Sequence, residues 1–254
     1  MKLFYRRMGE GKPLVLLHGL LGSSDNLLPI GKYFADNYEV FIPDIRNHGH
    51  SPHSDVMSLE ALSNDILVFF DDHNISEAIL MGHSMGGKIA MQFALNNMSR
   101  IEKLIVVDIG VKKYASDNLK HKQTILEMNF NAISSRKEVK IMLKEKVVDE
   151  GLVKLILKNI ESKGHNLFGW RSNVEAIYAN VPNILDAVVS DEVFNKPTLF
   201  IKGAYSDYIT PEDLPAIKKN FPLMRIDTVP DAGHWVHVDD KGYFINAVER
   251  FMKE

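Results

Sequence analysis

The run from Ala78 to Ala94, A-I-L-M-G-H-S-M-G-G-K-I-A-M-Q-F-A, constrains the fold of this 254-residue chain more than any other stretch. An apolar run, Ile79 to Met81, breaks at Gly82, and helical periodicity begins at Lys88. Between them lies G-H-S-M-G. The pattern predicts a strand, a sharp turn with Ser84 at its tip, and a helix. Glycine is needed at 82 and 86 because a side chain there would collide with the neighbouring strand or helix. The turn lifts the Ser84 hydroxyl out of the sheet and aims free helical N–H groups at the space beside it. G-x-S-x-G alone arises by chance; the flanking strand and helix give it weight.

The same alternation runs along most of the chain. Apolar strand runs are expected at 2–8, 13–17, 38–43, 101–107, 197–202 and 224–229. Helices are expected from Asp25 or Asn26 to about 37, from Ser58 to about 73, from Thr210 to 220, and over 241–252. Strand–helix alternation implies a mostly parallel sheet with helices on both faces, the α/β class. The alternation stops over 111–190. That segment shows helical patterns at 117–131, 135–147, 150–161 and 172–180 and no clear strand. The expected organisation is a core of residues 1–110 and 191–254, with 111–190 as a helical cap over the carboxyl ends of the strands, where open α/β sheets hold their sites.

Composition narrows the function. The chain has 45% apolar and 25% charged residues, as a globular protein does. It has no cysteine, which excludes disulfides, a thiol nucleophile and thiolate metal sites. No run approaches the length of a membrane span, and Met1 to Arg7 alternates like a strand rather than a signal peptide. A cytoplasmic protein without a membrane partner is expected, as a monomer or homodimer. The net charge of −3 gives no reason to expect nucleic acid. Charge is uneven, however: residues 111–165 hold 12 Lys+Arg against 7 Asp+Glu. This reads either as solvated helix faces or as a basic cover favouring anionic substrates.

The polar loops at strand ends supply candidates to work with Ser84. His18-Gly19-Leu20-Leu21-Gly22 exposes backbone N–H groups that, with that of Met85, would bind an oxyanion. His234, in D-A-G-H-W-V-H, stands where a Ser…Asp…His order places its base, with His237 as the rival. His83 is a structural neighbour. Two aspartates compete to orient the histidine. Asp207 follows the 197–202 strand and Asp108 follows the 101–107 strand, and both keep the order. His18, Trp170 and Trp235 are candidate substrate contacts, with core packing the alternative for Trp170. His48-x-His50 has metal-like spacing without a carboxylate pattern, so no metal site is expected. No G-K-[ST] follows the Gly82–Gly87 glycines in register, so they form no P-loop, and no cofactor is implied.

Five motifs in order resemble the α/β-hydrolase fold superfamily: H-G-L-L-G-S-S-D-N from His18, D-I-R-N-H-G-H-S from Asp44, G-H-S-M-G-G-K from Gly82, V-D-I-G from Val107 and A-G-H-W-V-H from Ala232. Together with Arg171 and Asn173 they look like the branch of small bacterial YbfF-like acyl esterases. The resemblance implies Ser84 as nucleophile, His234 as base, and Leu20 and Met85 as oxyanion donors. In that branch the acid comes from the Asp108 position and the later one is lost. This chain keeps Asp207, the default position of the wider superfamily, which stays narrowly first. The expected activity is hydrolysis of short- to medium-chain acyl esters. The alternatives are an acyl-CoA thioesterase with the same triad, a haloperoxidase or carbon–carbon bond hydrolase, and a ligand-binding receptor on the same fold. The expected partner is a small-molecule ester or thioester.

Overall fold

A computed structural model describes residues 1–115, 122–130, 135–147, 150–164 and 167–254. The chain opens with strands β1 (Tyr5–Met8) and β2 (Lys12–Leu17), helix α1 (Ser24–Phe34) and β3 (Tyr38–Pro43). Helix α2 (Leu59–Asp72), β4 (Ala78–His83), α3 (Met85–Asn96) and β5 (Ile101–Val107) follow. The first strand is shorter than its 2–8 pattern. Helix α1 is capped earlier than the expected Asp25 or Asn26: Ser23 is its N-cap, and the Asn26 side chain at N3 reaches back to the Ser23 N–H at 3.0 Å. Ser58 caps α2, accepting from the Ala61 N–H as its position predicts.

Between β5 and the next sheet strand run α4 (Lys122–Leu126), α5 (Arg136–Lys146), α6 (Glu150–Lys158), β6 (Ile160–Gly164), β7 (Leu167–Trp170), α7 (Val174–Ala179) and α8 (Val181–Ile184). Residues 117–121 and 131 of the expected 117–131 helix lie outside the described residues. The β6–β7 antiparallel ribbon corrects the expectation of no strand here. Its residues Glu161, Ser162 and Lys163 are polar because a two-stranded ribbon leaves much of itself in water, so no apolar run marks it. The chain then resumes alternation with β8 (Thr198–Gly203), α9 (Leu214–Asn220), β9 (Met224–Val229), α10 (Val236–Asp239) and α11 (Lys241–Lys253). The expected 211–220 helix begins as a 3₁₀ turn, Pro211–Asp213, because Pro215 has no N–H to continue the α ladder.

The seven-stranded sheet has the order β1-β3-β2-β4-β5-β8-β9, antiparallel only at β1. Alternate residues feed two cores. Leu14 and Leu16 of β2 pack with Ile30 and Phe34 of α1 and Phe244 and Val248 of α11. Val15 and Leu17 face the other way, toward Ile66 and Phe70 of α2 and Ile89 and Phe93 of α3. A strand covered on both faces must be apolar throughout, which explains the unbroken runs in the sequence. The order reverses at β2: from it the chain crosses outward to β3 and then back to β4. The loops after β2 and β4 therefore diverge and leave a crevice between them.

Candidate active site

Ser84 sits at that crevice. Its φ of 53° and ψ of −119° lie outside the ordinary regions for a residue with a side chain. Its N–H donates to the Val107 carbonyl of β5 at 2.9 Å, and its carbonyl accepts from Gly87 and Lys88 in the first turn of α3. The glycine requirement is one of close approach. A Cβ on Gly82 would lie 2.1 Å from the Gly86 carbonyl oxygen, and one on Gly86 would lie 2.3 Å from that of Leu17. Strand, helix and neighbouring strand thus meet backbone to backbone under the serine.

The Ser84 hydroxyl lies 3.0 Å from Nε2 of His234, in the turn between β9 and α10. Nδ1 of the same ring lies 2.7 Å from a carboxylate oxygen of Asp108, at the end of β5. Asp108 is fully buried and accepts further bonds from the Gly203 N–H at 3.1 Å and from the Ser206 hydroxyl. An ionised carboxylate only accepts, so the His234 Nδ1 carries the proton and Nε2 is free to receive one from Ser84. Tyr208 stacks on the imidazole, with ring centres 4.0 Å apart and planes 16° apart.

The bond to His234 falls to Asp108, not to Asp207, which corrects the narrow preference for Asp207. β5 is the immediate neighbour of β4, so its end delivers Asp108 beneath the ring that faces Ser84. In the turn after β8 the inward position belongs to Ser206, and Asp207 points outward, exposed, at the cavity. Five non-glycine residues among those described have positive φ, and Leu21, Ser84 and Asp108 are three of them. Each such residue costs on the order of 1–3 kcal/mol, held in place by the surrounding structure.

Leu20 and Met85 both line the space above Ser84. Met85 opens α3, so its N–H has no helical acceptor. Among the described residues neither N–H donates to a protein acceptor. Two buried histidines fix the Leu20 loop. His48 accepts from the Leu21 N–H at 3.0 Å and donates to the Arg46 carbonyl at 3.0 Å. His18 accepts from the Ile45 N–H at 3.0 Å and donates to the Gly19 carbonyl at 2.8 Å. These bonds require neutral rings, and burial lowers both pKa values, that of His48 to about 3. His18 is therefore a loop anchor rather than a substrate contact, and His48 has no nitrogen left for a metal. Nothing in the 44–52 loop sequence separates such an anchor from a solvent-facing histidine.

The cavity over Ser84 has a volume of about 360 Å³. Its apolar wall comes from Leu20, Leu21, Tyr114, Leu152, Leu155 and Leu185, and Trp235 completes it. Trp170 lies elsewhere: it packs edge-on against Phe130 at 5.2 Å, which places it in the packing of the 111–190 segment. His83 lines the cavity but donates Nε2–H to the His234 carbonyl at 2.9 Å, and burial holds its pKa well below the usual range. His237, the rival base, is buried behind His83 at a ring distance of 4.7 Å, with its pKa lowered to about 4 by burial. Neither sequence motif nor spacing pointed to Tyr114, Tyr208 or Ser206. Only their proximity across folded loops reveals them.

A serine on a strained strand–helix turn, bonded through histidine to a buried aspartate at the switch point of a parallel sheet, defines an α/β enzyme of the serine-hydrolase kind. A family model for the alpha/beta hydrolase fold matches residues 12–133. The sn-1-specific diacylglycerol lipase ABHD11 of Danio rerio is 36% identical over 96% of this chain and 80% of its own length. Esterase YbfF of Escherichia coli K12 is 29% identical over 96% of this chain and 94% of its own. A solved marine microorganism esterase superimposes with a TM-score of 0.95 at 38% identity, covering 98% of this chain and 99% of the other. The protein belongs to the α/β-hydrolase fold family.

Proposed function

We propose that this protein is a serine carboxylesterase acting on neutral esters with short to medium acyl chains. The observation that carries the reading is the hydrogen-bonded line Ser84–His234–Asp108, at 3.0 and 2.7 Å, opening into the apolar cavity. Ser84 Oγ attacks the ester carbonyl as His234 Nε2 takes its proton. Asp108 holds the imidazole tautomer and stabilises the imidazolium. The Leu20 and Met85 N–H groups receive the developing oxyanion, each donor contributing roughly 3–4 kcal/mol to transition-state stabilisation. His234 returns the proton to the leaving alcohol. A water deprotonated by the same ring then attacks the acyl-enzyme and releases the acid.

The 111–190 segment supplies Tyr114, Leu152, Leu155 and Leu185 to the cavity, and we read it as a cap on a core of 1–110 and 191–254. A cavity of this volume lies at the small end of ligand sites. The relatives named as a lipase and an esterase support ester substrates. The thioesterase alternative rests on the excess of positive charge over 111–165. Within it Lys112, Lys113, Lys144 and Lys163 are each paired with a carboxylate. The acidic side chain lining the cavity is Asp207, which repels phosphorylated carriers. Turnover of p-nitrophenyl butyrate and covalent labelling of Ser84 by a fluorophosphonate test the reading. Absence of both in wild type overturns it, and loss of labelling in Ser84→Ala is the control.

A further inference from the structure

Lys88 lies four residues beyond Ser84 on α3, and its side chain is fully buried. A buried ammonium is costly unless its protons are satisfied. Among the described residues no carboxylate pairs with it. It donates instead to three main-chain carbonyls: Val111 at 3.2 Å, Asp186 at 2.8 Å, and Lys112. It also lies 5.0 Å from the centre of the Tyr114 ring. An ammonium has three protons, so three carbonyls use them all.

Those carbonyls come from two stretches far apart in sequence. Val111 and Lys112 leave the sheet after β5, and Asp186 is on the way back to β8. The stretches bond each other as well, Tyr114 N–H to the Leu185 carbonyl at 2.9 Å and Val188 N–H to the Val111 carbonyl at 2.8 Å. Tyr114 and Leu185 line the cavity over Ser84. We propose that Lys88 is a positioning residue that clasps both connections of the 111–190 segment and thereby holds the cavity wall against which an acyl chain lies. The effect on acyl chains rests on the esterase reading; the clasp does not.

The charged groups around it are otherwise engaged. Lys112 pairs with Asp213 at 2.7 Å and lies 5.4 Å from the Tyr114 ring centre, and Lys113 pairs with Asp186 at 3.3 Å. The Tyr114 hydroxyl donates to the Tyr208 carbonyl and accepts from the Gly110 N–H. Burial lowers the Lys88 pKa to about 7; Asp186 opposes the shift and Lys112 adds to it. A Lys88 freed from the clasp regains its ordinary pKa, so opening takes up a proton above about pH 7 and becomes costlier as pH rises toward 10.5.

Hydrogen–deuterium exchange at the Tyr114 and Val188 amides reads the clasp without any substrate. In Lys88→Met, which keeps the stem and removes the donors, these amides exchange about tenfold faster than in wild type, as losing a charged hydrogen bond implies. The KM for p-nitrophenyl octanoate rises by a similar factor, while kcat for p-nitrophenyl acetate holds. Unchanged exchange at both amides overturns the clasp. Faster exchange with an unchanged octanoate KM, or an equal loss of kcat on both esters, overturns its link to acyl binding. If wild type hydrolyses no ester, the esterase reading fails and the exchange data still decide the clasp. If Lys88→Met does not fold, wild type decides: after correction for intrinsic rates, slower exchange of the two amides at about pH 9 than at about pH 6 supports the clasp, since opening that frees Lys88 takes up a proton in that window, and equal exchange overturns it.

Discussion

Replacing Asp108 by asparagine tests the site most sharply, because the amide cannot satisfy the partners that the carboxylate has. One oxygen of Asp108 accepts from Gly203 N–H, and the other accepts from His234 Nδ1 and the Ser206 hydroxyl. An amide has one oxygen. Placed toward His234, it leaves the NH2 facing the Gly203 N–H. Flipped, it turns the NH2 toward Nδ1 and forces the proton onto Nε2, where Ser84 needs a base. Either mismatch costs roughly 1–3 kcal/mol. Loss of the negative charge about 4 Å from the imidazolium adds roughly 4 kcal/mol at an effective dielectric of about 20. Together these are roughly 5–7 kcal/mol, or about four to five decades in rate. Steady-state hydrolysis of p-nitrophenyl butyrate should therefore fall about ten-thousandfold in Asp108→Asn, with thermal unfolding confirming a folded protein. The same assay should change less than about threefold in Asp207→Ala, which removes an exposed side chain. A large loss in Asp207→Ala beside a mild one in Asp108→Asn would refute the reasoning.

Other outcomes follow from the same contacts. Asp207→Asn should raise kcat/KM for esters carrying a terminal carboxylate by about fivefold and leave neutral esters unchanged, since it removes a like charge at the cavity; kinetics on the matched ester pair checks this. Gly86→Ala should yield no folded, labelled enzyme, because its Cβ would sit 2.3 Å from a main-chain oxygen; soluble yield and fluorophosphonate labelling report it. The Lys88 pKa, lowered from 10.5 to about 7 by burial, makes the unfolded chain bind more protons between those values, so its contribution to stability rises with pH across that window and is lost as pH falls through about 7. Urea unfolding of wild type over that range should show the slope, and Lys88→Met should lack it.

Much of this was legible in the sequence because the sheet is covered on both faces. Runs such as Pro13–Leu17 and Ile101–Val107 carry no polar residue except Glu102, which pairs with Lys12 at 2.8 Å, and Lys103, whose ammonium reaches the carbonyls of Phe251 and Met252. The turn at Ser84 was readable because backbone contact leaves room only for glycine at 82 and 86. The 111–190 segment was harder. The β6–β7 ribbon is polar and short, and its pairing rather than its pattern makes it a strand. The choice between Asp108 and Asp207 was beyond motif order, since both end strands on the same edge. What separates them is that β5 adjoins β4, and that Ser206 fills the inward position of the later turn. His18 likewise sits in a motif beside the serine loop, yet its ring is turned to its own backbone and to Ile45.

The parallel order of the sheet ties chemistry to the completion of folding. The side chains that meet at His234 come from turns after β4, β5, β8 and β9, and no two of these strands are joined by a hairpin. Every pair must therefore close a long loop before it gains a contact, and such pairings form late. Ser84 cannot keep its left-handed backbone until β5 offers the Val107 carbonyl, and Asp108 has no partners until β8 and the turn before α10 arrive. A nascent or partly unfolded chain would thus hold an unreactive serine, and the rate at which a refolding sample becomes sensitive to a fluorophosphonate would time the arrival of its last strands.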